Sequence, residues 1–99
     1  MEIKIQSLRF NATESLKAFI EKKCMKLKRF DEDIQRVEVV LKVVKPETSM
    51  NKQVSLSLFI PNSELFAEKT SDTFEQAVDE SIEAVSRQIH KNKEKQRVK

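Results

Sequence analysis

Apolar residues in this chain recur with two different spacings, and the order of those spacings limits the fold more than any other feature. In four segments apolar and polar side chains alternate, which is typical of strands with one buried face. In two others apolar residues recur every three or four positions, which is typical of amphipathic helices. The alternating segments are 2–8, 37–44, 54–60 and 65–70, and the helical ones are 13–30 and 72 to the low nineties. The predicted order is β-α-β-β-β-α, with 65–70 the shorter fourth strand.

Residues at the segment ends predict how the elements begin and connect. Asn11 or Thr13 can cap the first helix, and Asp72 followed by Glu75 resembles a capping box for the second. The Pro61-Asn62 pair predicts a turn, and tight connections favour antiparallel neighbours. The simplest α+β arrangement is a four-stranded, mostly antiparallel sheet with both helices packed on one face. We expect a single domain over residues 1–99, frayed from about residue 93 onward.

Composition excludes several classes of function. The 99 residues include no glycine, so neither a glycine-rich phosphate loop nor a dinucleotide-binding turn is available. One cysteine and one histidine are too few for a disulfide framework, a cysteine-based zinc site or a Ser/His/Asp or Cys/His catalytic set. No apolar run reaches the roughly 20 residues of a membrane span, and the N-terminus lacks the apolar stretch of a signal peptide. We therefore expect a cytoplasmic protein that is not an enzyme and has no cofactor.

The distribution of charge along the two predicted helices points to a polyanionic partner. The chain carries 19 Lys and Arg against 16 Asp and Glu, a net charge of +3. Residues 72–84 contain five acids and no base, whereas 87–99 contain six bases and one acid. The helix dipole accounts for one or two bases in a last turn, not for six. The segment 13–30 also contains six bases against two acids. Segregated basic patches on so small a domain favour nucleic acid.

Helical periodicity selects the bases that we expect to form this patch. On each helix, several bases fall on one flank beside the apolar stripe. Lys23 is different because it points into the stripe, so it must extend to the helix edge or pair with a buried carboxylate. The predicted RNA-binding residues are Lys22, Lys26 and Arg29 on one flank of the first helix, Lys23 in its stripe, Arg87, Lys91 and Lys95 on one flank of the second helix, and Lys93 on its other side.

The aromatic and potentially reactive side chains have simpler explanations. Five of the six phenylalanines fall on core-facing positions, with Phe59 as the exception, so a stacking platform for single-stranded bases is not supported. Cys24 is expected to be a small buried hydrophobe, and His90 an exposed helix residue beside phosphate. The acids 31–33 lack the spacing of a calcium loop, and we expect no metal site. Binding should therefore depend on phosphates and shape, and weaken strongly with salt.

Five short motifs occur in order along nearly the whole chain. They are Thr13-Glu14-Ser15-Leu16-Lys17, Lys23-x-x-Lys26-Leu27, Val39-Val40-Leu41-Lys42-Val43, Asp72-x-Phe74-x-x-Ala77-Val78-Asp79 and Arg87-Gln88-Ile89-x-Lys91-x-Lys93. In this order and spacing they resemble the short ribosome hibernation-promoting factors, a bacterial family that binds the small ribosomal subunit in stationary phase. The family fold is β-α-β-β-β-α and is similar to double-stranded RNA-binding domains, in agreement with the order that periodicity predicts.

The resemblance implies a non-enzymatic inhibitor of translation. Such a protein would occupy the decoding region of the small subunit, against 16S rRNA, and exclude messenger and transfer RNA under stress. Lys23, Lys26, Arg87, Lys91 and Lys93 match basic positions on the two helices of the family. The resemblance also leaves room for a helper factor in ribosome dimerisation.

Two other functions stay open on the residues alone. One is a generic double-stranded RNA-binding protein, which would bind naked duplexes without a ribosome. The other is a protein-interaction module whose open sheet face, around Val40, Val44 and Phe59, would be the partner site. Charge reversal on the helices would leave that second function intact.

Overall fold

The computed structural model describes residues 1–45, 47 and 49–97, and its elements follow the predicted order. The strands are β1 (Glu2–Ser7), β2 (Arg36–Val43), β3 (Lys52–Ile60) and β4 (Ser63–Ser71). The helices are α1 (Glu14–Met25), which a 3-10 helix continues over Lys26–Arg29, and α2 (Phe74–Arg97). Two lengths differ from the prediction. Strand β4 has nine residues, as many as β3, and α2 continues past the low nineties.

The four strands form one mixed sheet in the order β1-β2-β3-β4. The pairs β2–β3 and β3–β4 are antiparallel, as the tight connections predict, and the β3–β4 turn is Pro61-Asn62 with Ile60 paired to Ser63. The pair β1–β2 is parallel, because the chain returns to the same end of the sheet through α1 before β2 begins. Such a crossover places its helix on one face of the sheet.

Both helices cover the same face of the sheet, as predicted, and one apolar core lies between the layers. Alternation along β2 and β3 turns every second side chain into this core, and the helices contribute their apolar stripes. The fully buried larger side chains are Ile20, Leu27, Val37, Val39, Leu41, Val54, Leu56, Leu58, Val78, Val85 and Ile89. Although α2 has 24 residues, none of the helices in the described part of the chain is apolar enough to cross a membrane.

Threonine side chains cap both helices. The Leu16 N–H donates to Thr13 Oγ1 at 3.1 Å, which confirms one of the two predicted caps of α1. In α2 the cap is Thr73, whose Oγ1 accepts from the Gln76 N–H at 3.1 Å. The predicted capping box at Asp72 is therefore wrong. The Asp72 carboxylate instead accepts from the Met50 N–H at 2.8 Å and ties the β2–β3 connection to the start of α2.

The face of the sheet away from the helices carries two of the six phenylalanines. Phe59 lies there beneath the Arg36 guanidinium, 4.1 Å from ring centroid to Cζ, and confirms the predicted exception. Phe66 lies there too and is 51% exposed, so its predicted place in the core is wrong. The antiparallel register pairs it with Ser57 on the outer face. The Gln88 side-chain amide of α2 reaches around to donate to the Phe66 carbonyl at 2.7 Å, on the free edge of β4.

Candidate nucleic-acid interface

Contacts between the helices show that α1 and α2 run in the same direction. Lys23 Nζ of α1 lies 3.0 Å from Asp79 Oδ1 near the start of α2. Farther along the chain, the Phe30 ring meets the His90 ring edge-on at 5.4 Å between centroids. From the first contact to the second, the residue numbers increase along both segments. The C-terminal ends of the two helices therefore lie at the same end of the molecule. These are the ends that carry the predicted bases.

Three of the four bases predicted on the first helix are exposed. Lys22 lies in the last turn of α1, and Lys26 and Arg29 lie in the 3-10 helix that follows. The α-helix ends at Met25, before the end of the predicted helical segment 13–30. Residues three apart eclipse in a 3-10 helix, so Lys26 and Arg29 still share one side.

The 3-10 helix also brings in a base that periodicity missed. Lys28 is not among the predicted bases, but it lines a surface depression of about 400 Å³ with Arg29 and Glu32. A helical wheel drawn with α-helical spacing misplaces residues after Met25, because the rotation about the helix axis per residue is larger in a 3-10 helix than in an α-helix. The sequence carries no clear signal for this change of helix type.

Lys23 joins the two helices. Its side chain is half-buried, it pairs with Asp79, and its Nζ lies 5.3 Å from the centroid of the Phe19 ring. Of the two predicted alternatives, Lys23 pairs with a carboxylate, although the Asp79 side chain is 53% exposed and not buried. The Asp79 carboxylate therefore offsets the charge of Lys23, and the pair links α1 to α2.

The exposed bases on α2 have different neighbours. Arg87 pairs with Glu83 one turn earlier, and both line a depression of about 210 Å³ with Lys69 and Glu80. Lys91 is exposed in the following turn. The flank that carries Arg87 and Lys91 therefore begins with mixed charge and becomes basic toward the end of the helix.

The remaining predicted bases of α2 do not join this flank. Lys93 is half-buried, and its Nζ donates to the Phe30 carbonyl at the end of the 3-10 helix. It thus satisfies one of the carbonyls that a helix end leaves without a partner. Lys95 belongs to α2, and its side chain lies outside the described residues.

An acidic loop borders the basic end. The acids 31–33 line a depression of about 400 Å³ together with Arg29, Phe30 and Lys93. Within the loop, the Asp33 N–H donates to Asp31 Oδ1 at 2.8 Å, which fixes a turn. In the part of the chain that the structure describes, no cluster of three or more acids, histidines or cysteines is suited to a metal ion.

Cys24 is buried on the side of α1 that faces the core, as predicted. Burial raises the pKa of its thiol from an ordinary value of 9.0 to about 12, and the nearby Glu21 carboxylate adds to this shift. A thiol that stays protonated is a poor nucleophile. Cys24 therefore acts as a small apolar side chain between α1 and the sheet.

Comparison with known proteins identifies the family. The sequence model of the family described as Sigma 54 modulation protein / S30EA ribosomal protein matches residues 3–97. The chain belongs to this family. Ribosome hibernation promoting factors from Azotobacter vinelandii and Pseudomonas putida are 26% and 27% identical to it over 96 residues. These alignments cover 97% of this chain and 86% and 90% of the two relatives. The family predicted from the five motifs is confirmed.

Solved structures confirm the fold of this family member. A ribosomal subunit interface protein from Coxiella burnetii superposes with a TM-score of 0.85 at 22% identity, over 94% of this chain and 98% of that one. The Thermus thermophilus Protein Y N-terminal domain superposes with a TM-score of 0.77 at 20% identity, over 90% of this chain and 96% of that one.

Proposed function

We propose that this protein is a ribosome hibernation factor that binds the small ribosomal subunit at the decoding region and excludes messenger and transfer RNA. The observation that carries this proposal is the parallel course of the two helices, which gathers their basic ends at one end of the fold. Family membership and the names of its relatives favour a ribosome as the target. The protein would act in the cytoplasm of stressed or stationary-phase cells, as a factor without catalytic activity.

In the proposed complex the exposed bases contact phosphates of 16S rRNA. Lys22, Lys26, Arg29, Arg87 and Lys91 are exposed and serve as direct contacts, whereas Lys23 and Lys93 hold the helices together. Each neutralised phosphate releases counterions, so binding weakens as salt rises. Inhibition is steric, because a body held at the decoding region occupies the place that messenger and transfer RNA need.

The test is cosedimentation of the purified protein with isolated small subunits across a salt series, with a naked RNA duplex beside it. We expect salt-sensitive binding to the subunit and much weaker binding to the duplex. Equal binding to both would replace the proposal with a generic double-stranded RNA-binding protein. Binding to neither would indicate a protein partner on the open sheet face, around Val40, Val44 and Phe59.

A pair of double variants assigns the surface. Lys26→Glu with Lys91→Glu reverses one exposed base on each helix and should reduce subunit binding by roughly 100-fold, since two contacts are lost and replaced by repulsion. The matched control is Lys4→Glu with Lys17→Glu, which changes the net charge equally on β1 and at the start of α1. If both doubles weaken binding alike, overall charge and not this surface controls affinity, and the assignment fails.

A helper factor for ribosome dimerisation is a separate part of the proposal. Sedimentation of whole ribosomes with the protein alone, and then with an extract of stationary-phase cells, tests it. Dimers that form only with the extract would support a helper, whereas dimers with the protein alone would remove the need for one.

A further inference from the structure

An open cleft of about 610 Å³ lies away from the basic helix ends. Residues 8–10 form one wall, and residues 42–45 form the other. The Phe10 ring in the first wall stacks on Phe74, which starts α2, at 5.1 Å between centroids. Arg87 comes 13 residues later in α2, about 20 Å along the helix axis. The cleft therefore lies near the opposite end of α2 from the candidate interface.

The cleft exists because β1 leaves the sheet before β2 ends. The final β1–β2 hydrogen bond runs from the Leu8 N–H to the Leu41 carbonyl at 2.9 Å. On the other side of β2, the Val44 N–H donates to the Asn51 carbonyl of the β3 side at 2.8 Å. Successive residues of a strand direct their backbone groups to opposite sides, so Val43 directs its N–H and carbonyl away from β3. These groups face the space that β1 vacates.

The lining of the cleft combines positive charge with apolar surface. Arg9, Lys42 and Lys45 are its charged members, and all three are exposed. The other members are Leu8, Phe10, Val43 and Val44, and the seven lining residues that the structure describes include no acid. Such a lining suits a molecule with an anionic group at one end and an apolar or aromatic body at the other.

Two of the lining residues have an unfavourable backbone conformation. The φ angle is 65° at Arg9 and 49° at Lys45, in the left-handed region that favours glycine. A side chain in that region costs on the order of 1 kcal/mol, and strained residues of this kind cluster at functional sites. Met50 and Asn62 lie in the same region outside the cleft, with φ of 55° and 66°, and at Asn62 the turn suits an asparagine. Arginine and lysine, unlike asparagine, are not favoured in this region. At both strained positions of the cleft the residue is a cation.

We propose that this cleft binds a nucleotide. Arg9, Lys42 and the Val43 N–H hold its phosphate, and the ribose and base lie along Leu8 and Phe10. Phosphate accepts charge-assisted hydrogen bonds from guanidinium, ammonium and backbone N–H groups. A base placed against Phe10 would extend the aromatic pair that Phe10 makes with Phe74, whose planes are 10° apart. A cleft of about 610 Å³ is within the range of small-ligand sites.

The nucleotide has two chemical sources, a free mononucleotide or one residue of a single-stranded RNA. Both present the same phosphate, ribose and base to the cleft. The proposal uses none of the bases assigned to the small subunit, so it stands or fails independently of the proposed function.

The experiment is a titration of the ¹⁵N-labelled full chain, followed by amide NMR shifts, with adenosine 5′-monophosphate, inorganic phosphate and a tetraadenylate in separate samples. We expect the mononucleotide to shift amides of residues 8–10 and 42–45, and phosphate to bind about tenfold more weakly because it makes no apolar contact. Tighter binding of the tetraadenylate than of the mononucleotide at the same amides would indicate RNA as the source. Equal or weaker binding would indicate a free nucleotide.

Variants with matched controls decide whether the cleft is responsible. Arg9→Gly removes the cation and suits φ of 65°, so it should fold at least as stably and bind the mononucleotide about tenfold more weakly. Asn62→Gly changes the remote position with the same backbone conformation and should leave binding unchanged. Lys42→Gln should also weaken binding, whereas Lys4→Gln, at the other end of the same outer face, should not.

Three results would overturn the proposal. The first is an absence of amide shifts at 8–10 and 42–45 up to roughly 10 mM mononucleotide, beyond which binding is too weak to be specific. The second is a set of shifts confined to the basic ends of α1 and α2. The third is an Arg9→Gly variant that binds as tightly as the Asn62→Gly control.

Discussion

The two helices differ in how residues that stabilise the fold are arranged relative to exposed basic residues. In α1 the division runs around the helix axis. Leu16, Ile20 and Cys24 face the core, while Lys22 is exposed on the opposite side and Lys26 follows it in the 3-10 helix. The last turn of α1 and the 3-10 helix therefore contribute to both the core and the basic surface.

In α2 the acids that bind other elements lie near the start of the helix, and the exposed bases lie near its end. Near its start, Glu80 accepts a hydrogen bond from the buried Ser71 hydroxyl at 2.7 Å, and Asp79 pairs with Lys23. Near its end, Lys91 is exposed. Asp79 and Glu80 in the first half of α2 thus bind other elements of the fold, while Arg87 and Lys91 in the second half remain at the surface.

This difference shows where charge can change without loss of the fold. Reversal of charge on the exposed flank of α1 or near the end of α2 should alter binding alone. Reversal near the start of α2 should alter stability, because those carboxylates have partners in other elements. The first and third of the following experiments test that contrast, and the other two test the core against which the helices pack.

The largest effect is expected from Arg87→Glu combined with Lys91→Glu. Subunit binding should weaken by roughly 100-fold to 1,000-fold, about 3–4 kcal/mol, because two attractive sites become repulsive. Both side chains are exposed, so the free energy of unfolding in urea should change by less than about 0.5 kcal/mol. Within the pair, Lys91→Glu should account for more of the loss, because Arg87 already pairs with Glu83. Normal cosedimentation of the double variant would show that the assigned surface is wrong.

Phe74→Ala should produce the next largest effect, on stability. Phe74 is partly buried and stacks on Phe10 at the start of α2, so its loss should lower the free energy of unfolding by about 2–3 kcal/mol. Phe66→Ala is the matched control, because the same ring is removed from an exposed position and little stability should be lost. An unchanged melting temperature for Phe74→Ala would contradict its placement against the core.

Lys23→Gln should have a smaller effect, again on stability. The Lys23–Asp79 pair is partly exposed, so its loss should cost at most about 1 kcal/mol in urea unfolding. A double-mutant cycle with Asp79→Asn isolates the pair. Lys22→Gln, one residue away and exposed, serves as the control. If Lys23→Gln weakens subunit binding more than Lys22→Gln does, Lys23 contacts RNA in addition to its role between the helices.

The smallest effect near neutral pH is expected at Cys24. Its raised pKa means that the thiol is protonated in both the folded and unfolded chain below about pH 9, so its contribution to stability is constant there. As the pH rises from 9.0 toward 12, only the unfolded chain ionises, and that contribution is lost. Urea unfolding of the wild type and of Cys24→Ala at pH 7 and pH 10 measures this difference, since lysine titration is common to both. An equal pH dependence for the two proteins would contradict the shift.

Periodicity predicted the element order and most of the core because burial repeats with the geometry of each element. Leu16, Ile20, Val39 and Leu56 follow this rule directly. Phe66 was misplaced because its strand has large side chains on both faces, and only the pairing with β3 decides which face is covered. Strand register depends on the whole sheet, so a single segment does not determine it.

The candidate site was harder to predict because its details depend on contacts between distant segments. The exposed flank of α1 followed from spacing, whereas the ion pair of Lys23 with Asp79 required knowledge of how the helices pack. Lys93 was expected at the surface, and its contact with the Phe30 carbonyl joins residues 63 apart in sequence. Lys28 was missed because a local change to 3-10 geometry leaves no mark in the apolar pattern.

The outer edge of β4 bears on how this protein behaves at high concentration. A nine-residue edge strand is a template for the strand of another molecule, and intermolecular sheets of this kind lead to aggregation. Here the Gln88 side-chain amide donates a hydrogen bond to the Phe66 carbonyl, and Glu64 and Glu68 place negative charges on either side of Phe66. A second copy approaching in antiparallel register about Phe66 would oppose carboxylate to carboxylate. The edge therefore resists self-assembly, although it displays the most exposed aromatic ring of the sheet.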